Sequence, residues 1–128
     1  MGIAVVRWGI YQVEDRLLTL LSDEEGRVPK ESRFFVVVTT DRQCASTGLP
    51  YVLGCPTSAE QRRVVEGLDV EIPGTACGTR EKSCWVKITQ VQPIKKAHLW
   101  NRTGEVPARY RDDIRMKIAL FMGLLPED

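Results

Sequence analysis

The fold of this chain is decided by residues 34–39, which read Phe34-Phe35-Val36-Val37-Val38-Thr39. The run is apolar almost throughout and has the length of one strand. A continuous apolar run of this length, rather than an alternating one, is typical of a strand that is buried on both faces. The polar connection that follows, residues 41–50, contains Gly48 and Pro50 and ends the strand. We therefore expect a central strand here, with further strands on either side of it.

Shorter strand-like segments lie before and after this central run. Gly9 is the expected site of a bulge in the first strand, and Pro56 is expected to end the third. Residues 16–31 fit either a helical turn or the partner strand of a hairpin, and residues 73–83 are expected to form a loop. The predicted strands besides the central one cover residues 3–13, 51–55, 68–72, 84–88 and 91–94.

The end of the chain has helical periodicity. Ile114, Ile118, Phe121 and Leu125 recur three or four residues apart, so one face of a helix over residues 107–124 packs on the sheet. Short strands and one terminal helix predict a mainly β protein, a small curved antiparallel sheet or barrel covered by a C-terminal helix. The length fits a single domain over residues 1–128. The expected core includes Phe35, Val37, Val52, Trp85, Val86 and Ile88.

Composition narrows the function classes only slightly. The formal net charge is +1, from 18 Lys and Arg against 17 Asp and Glu, which neither predicts nor excludes RNA binding. No apolar run is long enough for a transmembrane helix or a signal-peptide core, so we expect a cytoplasmic protein with no membrane contact. Four cysteines without a Cys-x-x-Cys pair, and one histidine, favour buried free thiols and no metal site or other cofactor.

Four stretches, in chain order, resemble the MazF/PemK toxin family. They match its opening strand, its Arg-led valine strand, a strand end that reads Val-Pro-x-Thr-Ser/Thr in family members, and a Gln-led strand before the closing helix. The helix also ends in the family manner, with Gly123 and Leu124. The four stretches are Arg7-Trp8-Gly9-Ile10-Tyr11, Arg33 with the valine run to Arg42, Cys55-Pro56-Thr57-Ser58, and Gln90 to Leu99.

The resemblance implies an SH3-like barrel of the kind that PemK, MazF and CcdB share. It also implies a toxin-type endoribonuclease that cuts single-stranded RNA, including mRNA, without metal and so inhibits translation and growth. Its expected partners are a cognate antitoxin and a second copy of the chain. The resemblance assigns catalytic roles to Arg33 and Thr57, with Ser58 in support.

Elementary chemistry fits those residue types. Cleavage by the ribose 2′-OH requires a base, an acid and positive charge on the phosphorane-like transition state. The guanidinium of Arg33 supplies forked donors for phosphate oxygens, and the hydroxyls of Thr57 and Ser58 hold oxygens by hydrogen bonds. As structural alternatives, Arg33 is a solvated charge at a strand end, and Thr57 caps a turn.

For the general base and for RNA contacts, the sequence offers several candidates. His98, Glu14 and Asp15 are the candidates for the general base. Trp8 and Tyr51 are candidates for stacking on bases. The expected RNA contacts are Arg42, Arg62, Arg63, Lys87 and Gln90, with Arg80 and Lys82 in a neighbouring loop.

Several departures from the family pattern keep other functions open. Phe34 replaces the proline that usually follows the leading arginine, while Lys87 and Thr89 stand where some members have Arg and Asp. If that Asp serves as an acid or base, its loss favours a non-catalytic member that binds RNA or a protein. A CcdB-like gyrase inhibitor is a further alternative, although the tail from Leu124 to Asp128 lacks the Trp-Gly-Ile end of CcdB.

Overall fold

The computed structural model describes residues 3–20, 31–61 and 64–126. Within them, α1 covers Asp41–Ala45 and α2 covers Ala108–Phe121, and short 3-10 helices follow several strands. The strands are β1 Gly9–Glu14, β2 Ser32–Val37, β3 Tyr51–Ser58, β4 Val70–Pro73, β5 Ser83–Val86, β6 Gln92–Lys95 and β7 Asn101–Glu105.

The strands form one curved sheet in the order β4-β5-β3-β2-β1-β7, with β6 also paired to β3. Every pairing between them is antiparallel. Strand β2 lies in the middle, and Phe35, Val36 and Val37 are fully buried there. The predicted central strand, antiparallel sheet and closing helix are therefore confirmed.

Two apolar clusters lie on the two faces of this sheet. Because successive side chains of a strand point to opposite faces, Val36 joins one cluster while Phe35 and Val37 join the other. The inner cluster, beneath α2, contains Ile10, Val36, Cys55, Val86, Ile88 and Ile114. The outer cluster contains Tyr11, Val13, Phe35, Val37, Val52 and Leu99.

The first strand is shorter than predicted. Trp8 has a φ of 67°, a left-handed conformation that a strand does not tolerate, so β1 begins only at Gly9. A Cβ at Gly9 would lie 2.7 Å from the ring of Tyr11. Glycine is therefore needed here because the Tyr11 ring packs directly against the backbone. The irregularity in the pairing of β1 with β7 falls between Ile10 and Tyr11 instead of at Gly9.

One further prediction about strands was wrong, and one strand was missed. Strand β3 continues through Pro56 to Ser58, because the Pro56 carbonyl accepts the Lys87 N–H (3.0 Å) and the pairing needs no donor from Pro56. Strand β7 was missed because its sequence, Asn-Arg-Thr-Gly-Glu, has no apolar alternation and lies at the sheet edge against β1. Five of the six residues predicted as core are buried as expected: Phe35, Val37, Val52, Val86 and Ile88. The prediction for Trp85 was wrong: it is only half-buried, because its side chain points to the face of β5 opposite to the buried Cys84 and Val86.

Candidate active site

A cleft of about 320 Å³ lies where β2 begins and β3 ends. We call it the Arg33 cleft. The antiparallel pairing of β2 with β3 brings Arg33 beside Thr57 and Ser58, although these residues are far apart in the chain. The loop before β5 adds Arg80 and Glu81 to the rim. The structure thus places the three predicted catalytic residues around one cleft.

Arg33 lies on β2 opposite Val13, and its side chain is only 9% exposed. Its Nε donates to Oδ2 of Asp15 at 2.8 Å. Asp15 is itself 4% exposed, directly after β1. Asp15, a predicted candidate for the general base, is therefore a buried ion-pair partner of Arg33, and Arg33 is not the solvated strand-end charge of the structural alternative.

Thr57 and Ser58 point to opposite faces of the sheet. The observed register pairs Phe35 with Pro56 and, on the other side of β3, Thr57 with Val86. Continuing the first register places Ser58 opposite Arg33, and opposite residues of an antiparallel pair share a face. Thr57 is 5% exposed on the face of the inner cluster. The hydroxyl that shares a face with Arg33 is therefore that of Ser58.

The sequence itself contained a signal for this distinction. In the family pattern Val-Pro-x-Thr, the threonine stands two residues after the proline. Two residues after Pro56 is Ser58, whereas Thr57 occupies the variable position. Spacing and sheet register therefore agree on Ser58.

The loop that closes the cleft depends on a glycine. A Cβ at Gly74 would lie 1.9 Å from the carbonyl oxygen of Glu81, so only glycine lets the two backbones approach this closely. The Glu81 N–H donates to Oγ1 of Thr79 at 2.8 Å, which fixes the loop next to the cleft. Glu81 is exposed, and it is the one carboxylate among the described residues that line the cleft. Nothing in the sequence pattern singled it out.

Lys87 lies in an environment that does not suit an RNA contact. It is 4% exposed, and its Nζ lies 2.5 Å from Oδ2 of Asp69, whose side chain is fully buried. The same carboxylate accepts the backbone N–H groups of Val65 (2.8 Å) and Ile88 (3.1 Å). The ammonium thus joins a buried polar cluster that ties the segment before β4 to the end of β5.

A second, larger cleft, of about 950 Å³, borders the first and shares Ser32 with it. We call it the Trp100 cleft. Trp100 is 52% exposed there, and His98 and Glu14 also line it. Both remaining base candidates thus lie outside the Arg33 cleft. Trp8, a predicted stacking residue, is buried in the inner cluster instead.

The family is decided by the match to a known model. A model for the PemK-like, MazF-like toxins of type II toxin–antitoxin systems matches residues 15–122. The chain belongs to this toxin family. No curated protein matches the chain significantly in sequence.

Solved structures share the fold of this toxin-family chain along almost its whole length. An endoribonuclease from Mycobacterial species is 16% identical, with a TM-score of 0.68, and the match covers 100% of this chain and 99% of that one. MazF from Deinococcus radiodurans is 15% identical, with a TM-score of 0.68 and coverage of 95% and 99%. A Mycobacterial endoribonuclease in complex with its cognate antitoxin is 16% identical, with a TM-score of 0.65 and coverage of 98% of both chains.

The other predicted RNA contacts are dispersed on this toxin fold. Arg42 is exposed on α1, and Gln90 ends a 3-10 helix after β5. Neither lines the two clefts described above. Arg62 and Arg63 lie outside the described residues.

The thiols of the toxin-family chain are buried and unreactive. All four cysteines are less than a tenth exposed. Burial, with a smaller effect of the nearby Asp69 carboxylate, raises the pKa of Cys55 to about 12. A hydrogen bond with Cys84, and then burial, raise the pKa of Cys77. Because a thiolate is the reactive form, neither Cys55 nor Cys77 is suited to act as a nucleophile.

No group of three or more His, Cys, Asp or Glu side chains is placed to hold a metal ion in residues 3–20, 31–61 and 64–126. Over the same ranges, no helix has the length and apolar character needed to cross a membrane.

Proposed function

We propose that the chain is a metal-independent endoribonuclease that cuts single-stranded RNA, including mRNA, and so inhibits translation and growth. One observation carries the proposal: a toxin-family fold brings the guanidinium of Arg33 and the hydroxyl of Ser58 to the same face of the sheet at one cleft. The structural relatives that carry the name endoribonuclease support the same activity. The site of action is the cytoplasm, where mRNA is available.

The chemistry follows from the residues around the cleft. The ribose 2′-OH attacks its own phosphate, the bond to the 5′-oxygen breaks, and a 2′,3′-cyclic phosphate remains. The 5′-oxygen leaves as a hydroxyl after taking a proton from solvent water. Arg33 stabilises the negative charge that develops on the phosphoryl oxygens. Ser58 donates a hydrogen bond to a phosphate oxygen, and Glu81 accepts the proton of the 2′-OH. Thr57, buried on the other face, supports the strand that carries Ser58.

The substrate path runs from the Arg33 cleft into the Trp100 cleft. The two clefts meet at Ser32, so the next nucleotide of a single strand enters the larger one. There the exposed ring of Trp100 offers a face for stacking on a base. Tyr51 is also exposed, but it lies at the start of β3, away from both clefts.

The working form is a homodimer, and a cognate antitoxin neutralises it. The end of α2 exposes an apolar patch formed by Met116, Leu120, Phe121, Met122 and Leu124. Such a patch is unusual on a monomeric surface and marks a protein interface. A second copy related by two-fold symmetry covers it, and the antitoxin occupies the clefts in place of RNA. The solved complex of a structural relative with its cognate antitoxin supports the second partner.

Cleavage of a long single-stranded transcript tests the proposal. We expect the wild-type protein to cut it in EDTA and to leave 2′,3′-cyclic phosphate ends. Arg33→Ala should lower the rate by about 10²-fold or more, as does the loss of a preorganised donor to a transition-state charge. The matched control is Arg42→Ala, which removes an exposed guanidinium that lines neither cleft. Binding of RNA without cleavage by the wild-type protein would refute the nuclease and leave an RNA-binding module.

A further inference from the structure

Asp15 and Arg33 form a nearly buried ion pair. Among the ion pairs of the described residues, only this one and the pair of Lys87 with Asp69 have both side chains nearly buried. The side chains are 5% and 9% exposed, and Nε of Arg33 lies 2.8 Å from Oδ2 of Asp15. Nε of Arg33 donates the hydrogen bond of this contact. The Arg33 side chain nevertheless reaches the cleft that the proposed function requires.

The backbone around Asp15 holds its carboxylate in place. Asp15 directly follows β1 and opens a 3-10 helix over Asp15–Leu17. Its N–H donates to the Glu31 carbonyl at 3.2 Å, and its carbonyl accepts the Leu18 N–H at 3.0 Å. These two backbone hydrogen bonds fix the position of Asp15 at the end of β1, the strand that pairs with the strand of Arg33.

A guanidinium can bind two partners at once because its donors point in different directions. Arginine has five N–H donors in a planar fork, and Nε–H uses only one of them. Once a carboxylate fixes Nε, the plane of the group and the direction of its terminal N–H donors are fixed as well. A terminal ammonium, as in lysine, has no such second edge.

The geometry points to Asp15 as the positioning residue for Arg33, an inference that rests on the proposed function. Asp15 holds the guanidinium by Nε so that its terminal N–H donors face the scissile phosphate in the Arg33 cleft. Stability alone does not require this pair, since a buried ion pair is often no more stabilising than apolar side chains of similar volume. Asp15 makes no contact with the RNA and takes no proton in the reaction.

A second carboxylate–arginine pair provides a matched control. Glu105 ends the edge strand β7, pairs with the exposed Arg102 at 3.4 Å, and lines neither cleft. Asp15→Asn keeps the side-chain shape and removes the charge, and Glu105→Gln makes the same change in this exposed pair. The experiment measures single-turnover cleavage of a long single-stranded transcript at saturating protein, together with thermal melting of each variant.

We expect Asp15→Asn to lower the cleavage rate by about 10-fold or more, since a misplaced catalytic group costs on the order of 10²-fold. Glu105→Gln should cleave like the wild type. In an Arg33→Ala background, Asp15→Asn should have no further effect on the rate, because Asp15 acts only through Arg33. The double variant also removes both buried charges together, so it remains folded even if Asp15→Asn alone does not.

Arg33→Lys adds a test that preserves folding, because the lysine ammonium still pairs with Asp15. We expect it to cleave no faster than Arg33→Ala. Wild-type cleavage by Arg33→Lys, or an equal loss from Asp15→Asn with and without Arg33, would overturn the assignment while leaving the nuclease intact. So would an Asp15→Asn protein that melts lower but cleaves at the wild-type rate. An inactive wild-type protein would instead refute the proposed function, and the positioning role with it.

Discussion

Lys87 provides a sharp test of structure against sequence, since the sequence predicts an RNA contact and the structure shows a buried ion pair. The perturbation is Lys87→Met, which keeps an unbranched side chain of similar length and removes the ammonium. Asp69 would then remain fully buried with its charge, held only by the N–H groups of Val65 and Ile88. Breaking a buried pair in this way costs about 3–5 kcal/mol of unfolding free energy.

That loss is large for a chain of this size. With a melting temperature that changes by about 3–5 °C for each kcal/mol, the variant should melt about 10–25 °C lower. Lys87→Met combined with Asp69→Asn should recover part of the loss, because no uncompensated buried charge remains. The two ion-pair partners should thus show a clear coupling in a double-mutant cycle.

Thermal melting by circular dichroism measures the loss, and RNA affinity is measured well below the melting temperature of the variant. We expect the affinity of folded Lys87→Met for RNA to equal that of the wild type. Wild-type melting together with a large loss of RNA affinity would refute the reasoning. It would show that Lys87 leaves Asp69 to bind phosphate.

Three further predictions concern the clefts and the apolar patch. In a single-turnover assay, Ser58→Ala should lower the cleavage rate at least 10-fold, while the isosteric Thr57→Val should cleave almost normally. The opposite order would contradict the placement of Ser58, rather than Thr57, on the same face of the sheet as Arg33. Trp100→Ala should weaken RNA binding about 5- to 100-fold in a fluorescence titration, because a stacking partner is lost, whereas Tyr51→Ala should leave RNA binding unchanged. Equal effects of the two variants would show that the substrate path does not pass through the Trp100 cleft. Phe121→Asp should convert the dimer to a monomer, as measured by light scattering, because it places a charge in the apolar patch. A dimer that persists would show that the interface lies elsewhere.

The sequence alone determined the elements whose signals are local. The unbroken apolar run of β2 requires burial on both faces, and the observed Phe35, Val36 and Val37 divide between the two clusters. The helical spacing around Ile114 depends only on neighbours within the same turn or the next, so α2 was predicted correctly. The resemblance likewise placed Arg33 at the head of β2, because that motif is contiguous in the chain.

The pairing between strands was decided only by tertiary structure. Arg33 and Asp15 are 18 residues apart, as are Lys87 and Asp69, and no periodicity specifies which charge meets which. Residues 68–72 were predicted as one strand, yet β4 begins only at Val70, and the side chain of Asp69, just before it, is fully buried.

The facing of Ser58 and Thr57 also depends on tertiary structure, although the family spacing already pointed to Ser58. It depends on the register with β2, and a shift of one residue would exchange the two hydroxyls. Local patterns thus determined which segments become strands and helix. The chemistry of the cleft depends on contacts between distant residues, which form only when the sheet pairs and closes.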